Sequence, residues 1–298
     1  KNPSKREQYF VSYPYSYNLP HLINMDSFSM HLKTNYFIRL IILFIGFATM
    51  NAHAGKLDEW KRYTNEHLVL YSDHDEEKIS AFMRDFEIFR SVVINLQKGD
   101  MSKELPVIRA YMFKSESLFN DFVEDREFGG YFSHSSYGPY MIIGPNRDDN
   151  DTRETLFHEY VHFLMDSVIP IRYASWYNEG IAQFFQTMVI RDDFVYVGRT
   201  PESAASNLNR GGFLQMDDLF EQQKVWSKGN RYARKFYGSS WLTTHFVTLG
   251  ARNGFPSYYR NTAKFLQLQS QGANAQSAFD LSFDISMRDF TKEVKRYS

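Results

Sequence analysis

The chain has 298 residues, 43% hydrophobic and 17% aromatic, enough for one sizeable core or two subdomains. Lys plus Arg (34) nearly balance Asp plus Glu (35), so the net charge is −1 and no basic footprint points to nucleic acid. The absence of cysteine excludes disulfides, thiolate nucleophiles, cysteine metal ligands and a lipid-bearing cysteine anchor.

Residues 1–29 are rich in tyrosine without apolar periodicity, which predicts an upstream or disordered extension. Residues 30–54 read as a secretory signal starting at Met30. Lys33 and Arg39 precede the apolar run Leu40–Ala48, and Ala52-His53-Ala54 fits the small-x-small cleavage rule, so the mature chain is expected to begin at Gly55. The apolar run is too short to span a bilayer comfortably, which predicts an exported protein, periplasmic or secreted, with no permanent membrane anchor.

Residues 55–298 read as a single α+β domain, with an α+β half over 55–150 and a mainly helical half over 151–298. Leu68–Tyr71 predicts a strand. Residues 75–97 predict a helix whose apolar stripe is Ile79, Phe82, Phe86, Phe89 and Val93. Leu105–Phe113 predicts a second strand, and Ser115–Val123 a short helix carrying Leu118, Phe119 and Phe122. Tyr131–Phe132 and Tyr140–Ile143 predict two strands around the turn Ser135–Pro139, with Tyr140–Ile143 expected at the sheet edge. The acidic run Asp148–Asp151 predicts a helix N-terminus rather than a calcium loop. Asp151 and Glu154 have capping-box spacing, and the run lacks the ligand spacing of calcium loops.

The next segment carries the chemistry. Leu156-Phe157-His158-Glu159-Tyr160-Val161-His162-Phe163-Leu164-Met165 is apolar most of the way round, which predicts a helix buried on several sides. His158 and His162 are four apart and project from one face, so two imidazoles can meet one ion, with Glu159 to the side. Glu179, in Trp176-Tyr177-Asn178-Glu179-Gly180-Ile181-Ala182, is expected in the first turn of a second helix. There it supplies a third ligand and leaves the fourth position to water, which is the catalytic rather than the structural pattern. Asn178 and Asp166 are candidates to hold the ligands from behind.

Beyond this the chain reads as mostly helical. Phe194–Val197 predicts a short strand, Arg210–Gly212 a loop, and 232–249 and 256–268 helices. A last helix begins at Ser286, capped with Asp289 and turning Phe290 and Val294 inward.

Together, His158-Glu159-x-x-His162 and Asn178-Glu179-Gly180-x-Ala182 resemble the gluzincin branch of zinc metallopeptidases. That branch includes thermolysin-like enzymes and exported bacterial peptidase-MA-like domains; the close resemblance covers about residues 105–190. It implies a zincin-like fold: a small mixed sheet with helices, then a mainly helical C-terminal half, with the active-site cleft between. It implies Zn²⁺ held by His158, His162 and Glu179, with Glu159 as general base, acting on a peptide or protein substrate. The donor to the oxyanion would be Tyr237, in Tyr237-Gly238-Ser239-Ser240-Trp241 at a helix opening, or else His245. The glycine directly after Tyr237 departs from the Tyr-x-x-Gly of aminopeptidase-like members, and no Gly-x-Met-Glu-Asn segment precedes the zinc helix. The alternative is a gluzincin-fold peptide- or protein-binding domain without turnover, against which the retained Glu159 argues. A metal-free structural domain is the third reading.

Overall fold

The computed structural model describes residues 10–11, 59–100, 102–123, 130–145, 149–168, 173–191, 193–221 and 229–298. The secretory signal, the expected Gly55 start, Asp148, and the 1–29 extension apart from Phe10–Val11 lie outside the described residues. Among those residues, no helix is long and apolar enough to cross a membrane. Among the described residues the fold is mixed α+β, with a five-stranded mixed sheet and ten α-helices. It divides into two compact units, one within Tyr15–Ile88 and Glu104–Leu156, the other within Lys1–Pro14, Phe89–Lys103 and Phe157–Ser298.

The first unit holds the five-stranded sheet. Its strands are β2 (Lys61–Thr64), β3 (Leu68–Ser72), β4 (Ile108–Met112), β5 (Gly130–Ser135) and β6 (Gly138–Ile143). Their order is β2-β3-β4-β6-β5, with β3, β4 and β6 parallel and both edges antiparallel. The parallel pairing of β3 with β4 requires a crossover, which α1 (Glu76–Leu96) supplies. Leu68, Leu70 and Ser72 pair in register with Ile108, Ala110 and Met112 and are buried, while Val69 and Tyr71 between them are half-buried on the other face. On that face α2 (Glu116–Phe122) gathers Trp60, Phe113, Leu118, Phe119 and Val123 beside the stacked rings of Tyr71 and Tyr111. Ser115 caps α2 rather than belonging to it, its Oγ accepting from the Leu118 N–H at 3.3 Å.

Tyr140–Ile143 is not an edge. It lies in β6, paired with β4 on one side and β5 on the other, because the two-residue Ser136-Tyr137 turn folds Gly130–Ser135 back along it. Gly138, at φ +104°, closes that turn in a conformation that favours glycine. The strand expected from Leu105 begins only at Ile108, and β2 was not expected. The helix α3 (Asp149–Val168) starts earlier than expected. Asp151 is therefore inside its first turn rather than at the cap, a position the helix dipole also favours for acidic residues.

The second unit is mainly helical. It holds α3 from Phe157 onwards, α4 (Ser175–Gln186), α5 (Glu202–Gly211), α6 (Met216–Phe220), α7 (Asn230–Leu249), α8 (Tyr259–Ser270), α9 (Ala275–Ser282) and α10 (Met287–Tyr297). A small sheet joins β1 (Phe10–Val11), β8 (Val195–Tyr196) and β7 (Val189–Ile190). The aromatic content concentrates in one core. Phe279 stacks on Phe283 at 4.3 Å, and Phe246, Phe265, Phe290 and Trp176 are fully buried in the same cluster. Ser286 caps α10, accepting from the Asp289 N–H at 3.1 Å, and turns Phe290 and Val294 fully inward. The expected loop at Arg210–Gly212 is a helix end instead: Arg210 and Gly211 belong to α5, and Gly212 at φ +78° stops it.

The two helices that matter most, α4 and α7, cross very closely. A Cβ added to Gly180 would overlap the Thr244 hydroxyl and the Ser240 carbonyl of α7. One turn further along α4, the buried Gln183 donates from Nε2 to the carbonyl of Tyr237 at 3.0 Å. Gly180→Ala is therefore expected to destabilise the fold by at least about 1–3 kcal/mol, the usual cost of overpacking, because the clash is with backbone as well as a side chain. Thermal unfolding of the variant against the parent measures this.

Candidate metal centre

His158 and His162 stand one turn apart on α3. Their neighbours Phe157, Tyr160, Val161, Leu164 and Met165 are buried, with Phe157 stacked on Phe89 at 3.9 Å. That packing fixes the rotation of α3 and leaves the imidazole face partly open, with the two histidine side chains 17% and 20% exposed. Glu179 reaches the same point from α4. It is the fifth residue of that helix, in the second turn rather than the first, because α4 already starts at Ser175.

The three groups converge. His158 Nε2 and His162 Nε2 are 3.2 Å apart, and Glu179 Oε2 lies 3.3 Å from the first and 3.7 Å from the second. A tetrahedral ion with bonds of ~2.0–2.1 Å sets its ligand atoms about 3.3–3.4 Å apart, so the triangle has the right size. The donor set fits as well. Glu179 Oε2 is buried without a hydrogen-bond partner. His158 donates from Nδ1 to Gln186 Oε1 at 2.8 Å, which turns its Nε2 lone pair toward the shared point. Two lone pairs and a carboxylate oxygen aimed at one point need a cation. Among the described residues, His158, His162 and Glu179 form the group able to hold a metal ion.

The protonation behaviour of the metal-free group follows from the same crowding. Burial works against a charged His162, but Glu179, Glu159 and the nearby Asn178 amide outweigh it and raise the histidine. Burial likewise works against a charged Glu179, but the two histidines bring its carboxyl down to about 2.

Glu159 is half-buried beside the group but supplies none of its ligand atoms. Tyr237 sits within electrostatic reach of it. Burial first, then the charges of Glu179 and Glu159, push its phenol well above the ordinary value of 10.0, so it stays a protonated donor. Tyr237 is the eighth residue of α7, mid-helix rather than at its opening. His245 is engaged elsewhere. Its Nε2–H donates to the Gly198 carbonyl at 2.9 Å, and Nδ1 accepts from the Tyr297 hydroxyl at 2.8 Å. Both ring nitrogens are thereby committed away from the metal-binding group.

Of the two residues expected behind the ligands, Asn178 lies near enough to favour charged His162, whereas Asp166, one turn beyond His162, is exposed. Gln186 was not expected. The available signal was its spacing: seven residues after Glu179, it returns to the same helix face two turns on. No protein-family model matches the chain, and no curated protein matches it in sequence.

Two outcomes are expected. Gln186→Ala leaves the three ligands in place but frees the His158 ring, and metal affinity should fall about 10–100-fold in competition with a chelator. The second concerns the metal-free protein. Glu179, depressed, contributes stability above its ordinary 4.5 that is lost as pH falls toward about 2. His162, raised, contributes stability below its ordinary 6.5 that is lost as pH rises through its folded value. Both contributions are complete only between 4.5 and 6.5, so denaturant unfolding should show a stability maximum there that Glu179→Gln flattens.

Proposed function

We propose that this chain is an exported zinc-dependent peptidase of zincin-like fold, hydrolysing peptide bonds in a peptide or protein substrate. The observation that carries this reading is the His158–His162–Glu179 triangle, with edges of 3.2, 3.3 and 3.7 Å and Glu159 beside it. Two histidines, one carboxylate and a position left for water suit zinc in a catalytic site. The mixed sheet followed by the α3–α4 pair is consistent with the resemblance drawn from the two motifs. Export rests on the apolar run and small-residue site before Gly55.

Zinc, when bound, supplies a Lewis acid that makes water nucleophilic near neutral pH and polarises a carbonyl. The chain's own residues do the rest. Glu159 takes the proton of the attacking water and passes it to the amine as the C–N bond breaks. It is free for this because His158, His162 and Glu179 complete the ligand set without it. Tyr237, kept protonated by its surroundings, donates a hydrogen bond to the carbonyl oxygen as negative charge develops there. His158 is held in its metal-facing tautomer by Gln186 throughout.

The reading is tested at Glu159 and Tyr237. Glu159→Gln should retain stoichiometric zinc while losing about two to four orders of magnitude in peptide turnover. Tyr237→Phe should lower kcat by about two to three orders with KM little changed. Elemental analysis with steady-state kinetics on a peptide library measures both. Wild-type turnover in Glu159→Gln would overturn the mechanism. A zinc-loaded protein that binds library peptides but cleaves none would establish the binding domain without turnover instead.

A further inference from the structure

The second unit contains a cavity of about 1040 Å³ that the chemistry above does not use. It is walled by the segment after β8, by α5, by Trp241 and His245 of α7, and by the end of α10. Trp241 and His245 lie one and two turns past Tyr237, so the cavity begins about 6 Å further along α7. Its volume is at the upper end for small-molecule sites.

The lining is two-natured. Aromatic rings of Trp241, Phe213, Phe255 and Tyr297 form apolar surface, while Arg199, Lys295 and Arg296 bring three cations. Among the described residues, no aspartate or glutamate side chain lines it. Lys295 lies 5.6 Å over the ring of Phe213 and Arg296 4.8 Å over that of Phe255, so cation and flat face are presented side by side. Lys295 and Arg296 also suit the last turn of α10 on helix-dipole grounds alone. Arg199 has no such reason: it lies in the segment after β8, and its charge adds to theirs. Three like charges beside low-dielectric aromatic walls focus a positive potential into the space.

The wall is also rigid. Asn253 donates to the Tyr297 hydroxyl, Tyr297 to His245 Nδ1, and His245 Nε2 to the Gly198 carbonyl, at 3.3, 2.8 and 2.9 Å. Thr187 Oγ1 holds the Arg199 carbonyl at 2.8 Å. Gly198, at φ +76°, packs where a Cβ would meet the Phe184 ring at 2.6 Å. A relay of this kind holds the pocket open before a ligand arrives, which lowers the ordering cost of binding.

From this juxtaposition we infer that the cavity is a binding site for a small organic anion with a flat aromatic body: the rings take the body, and Arg199, Lys295 and Arg296 take the carboxylate or phosphate head. The site is separate from the metal group and goes beyond the proposed peptidase activity.

The test uses four naphthalene probes of one size on the full chain: 2-naphthoate, 2-naphthyl phosphate, 2-naphthol and 2-naphthylmethylammonium. Calorimetric titration should give saturable one-to-one binding of at least one anion, and the tighter of the two identifies the preferred head. The neutral probe should bind about tenfold more weakly and the ammonium more weakly still. Changing the exposed trio to R199Q, K295Q and R296Q together should weaken anion binding about tenfold or more, leave 2-naphthol unchanged and lower the Tm by no more than a few degrees. His162→Ala should bind the anions normally, which separates this site from the metal reading. The inference is overturned if neither anion saturates below millimolar concentration, if the ammonium binds as well as the anions, or if the triple variant binds them undiminished.

Discussion

Two imidazole nitrogens 3.2 Å apart, with a carboxylate oxygen against both, are stable only around positive charge. In the metal-free chain a proton meets part of that demand, which is why His162 is raised and Glu179 brought down to about 2. A metal ion meets all of it, and the matching size of the triangle makes the substitution geometrically easy. Much of the surrounding structure serves to keep these three atoms together. Burial of Phe157, Tyr160 and Val161 sets the rotation of α3, and Gln186 sets the tautomer of His158.

The position of Glu179 depends in turn on how α4 crosses α7. Gly180, the residue after the ligand, allows backbone and hydroxyl of α7 to come where a side chain would stand. Gln183 then ties the carbonyl of Tyr237 to the same helix. One crossing thus places the carboxylate that would hold a metal and the phenol that would face the reacting carbonyl. A small residue beside the ligand is a packing requirement here, and the Asn-Glu-Gly spacing has a local physical cause.

Sequence pattern and structure agree where one element carries its own signal. The apolar stripe of 75–97 became α1, and Ser286 with Asp289, Phe290 and Val294 became the cap and inner face of α10. Pattern and structure diverge where the outcome depends on another segment. Tyr140–Ile143 has the apolar pattern of a strand whether it lies at an edge or inside; its burial between β4 and β5 comes from the hairpin with Gly130–Ser135. His245 has the spacing of a donor, yet Gly198 and Tyr297, both distant in the chain, take its two nitrogens. The helix beginning at Asp149 absorbed acidic residues that had looked like its cap.

The residue pattern alone dictates which groups can share an ion. A helix repeats every 3.6 residues, so histidines four apart must be neighbours, and that relation holds wherever the helix is packed. It also excluded thiolate chemistry outright, since no cysteine is present. The packing of the helices settled how closely Glu179 approaches the pair, that Gln186 holds His158, and that Tyr237 lies within electrostatic reach of the group while His245 is bonded elsewhere. Those outcomes depend on which faces of α3, α4 and α7 meet. Helix crossings are set by side-chain shape over long sequence separations, and no local pattern in any one segment encodes them.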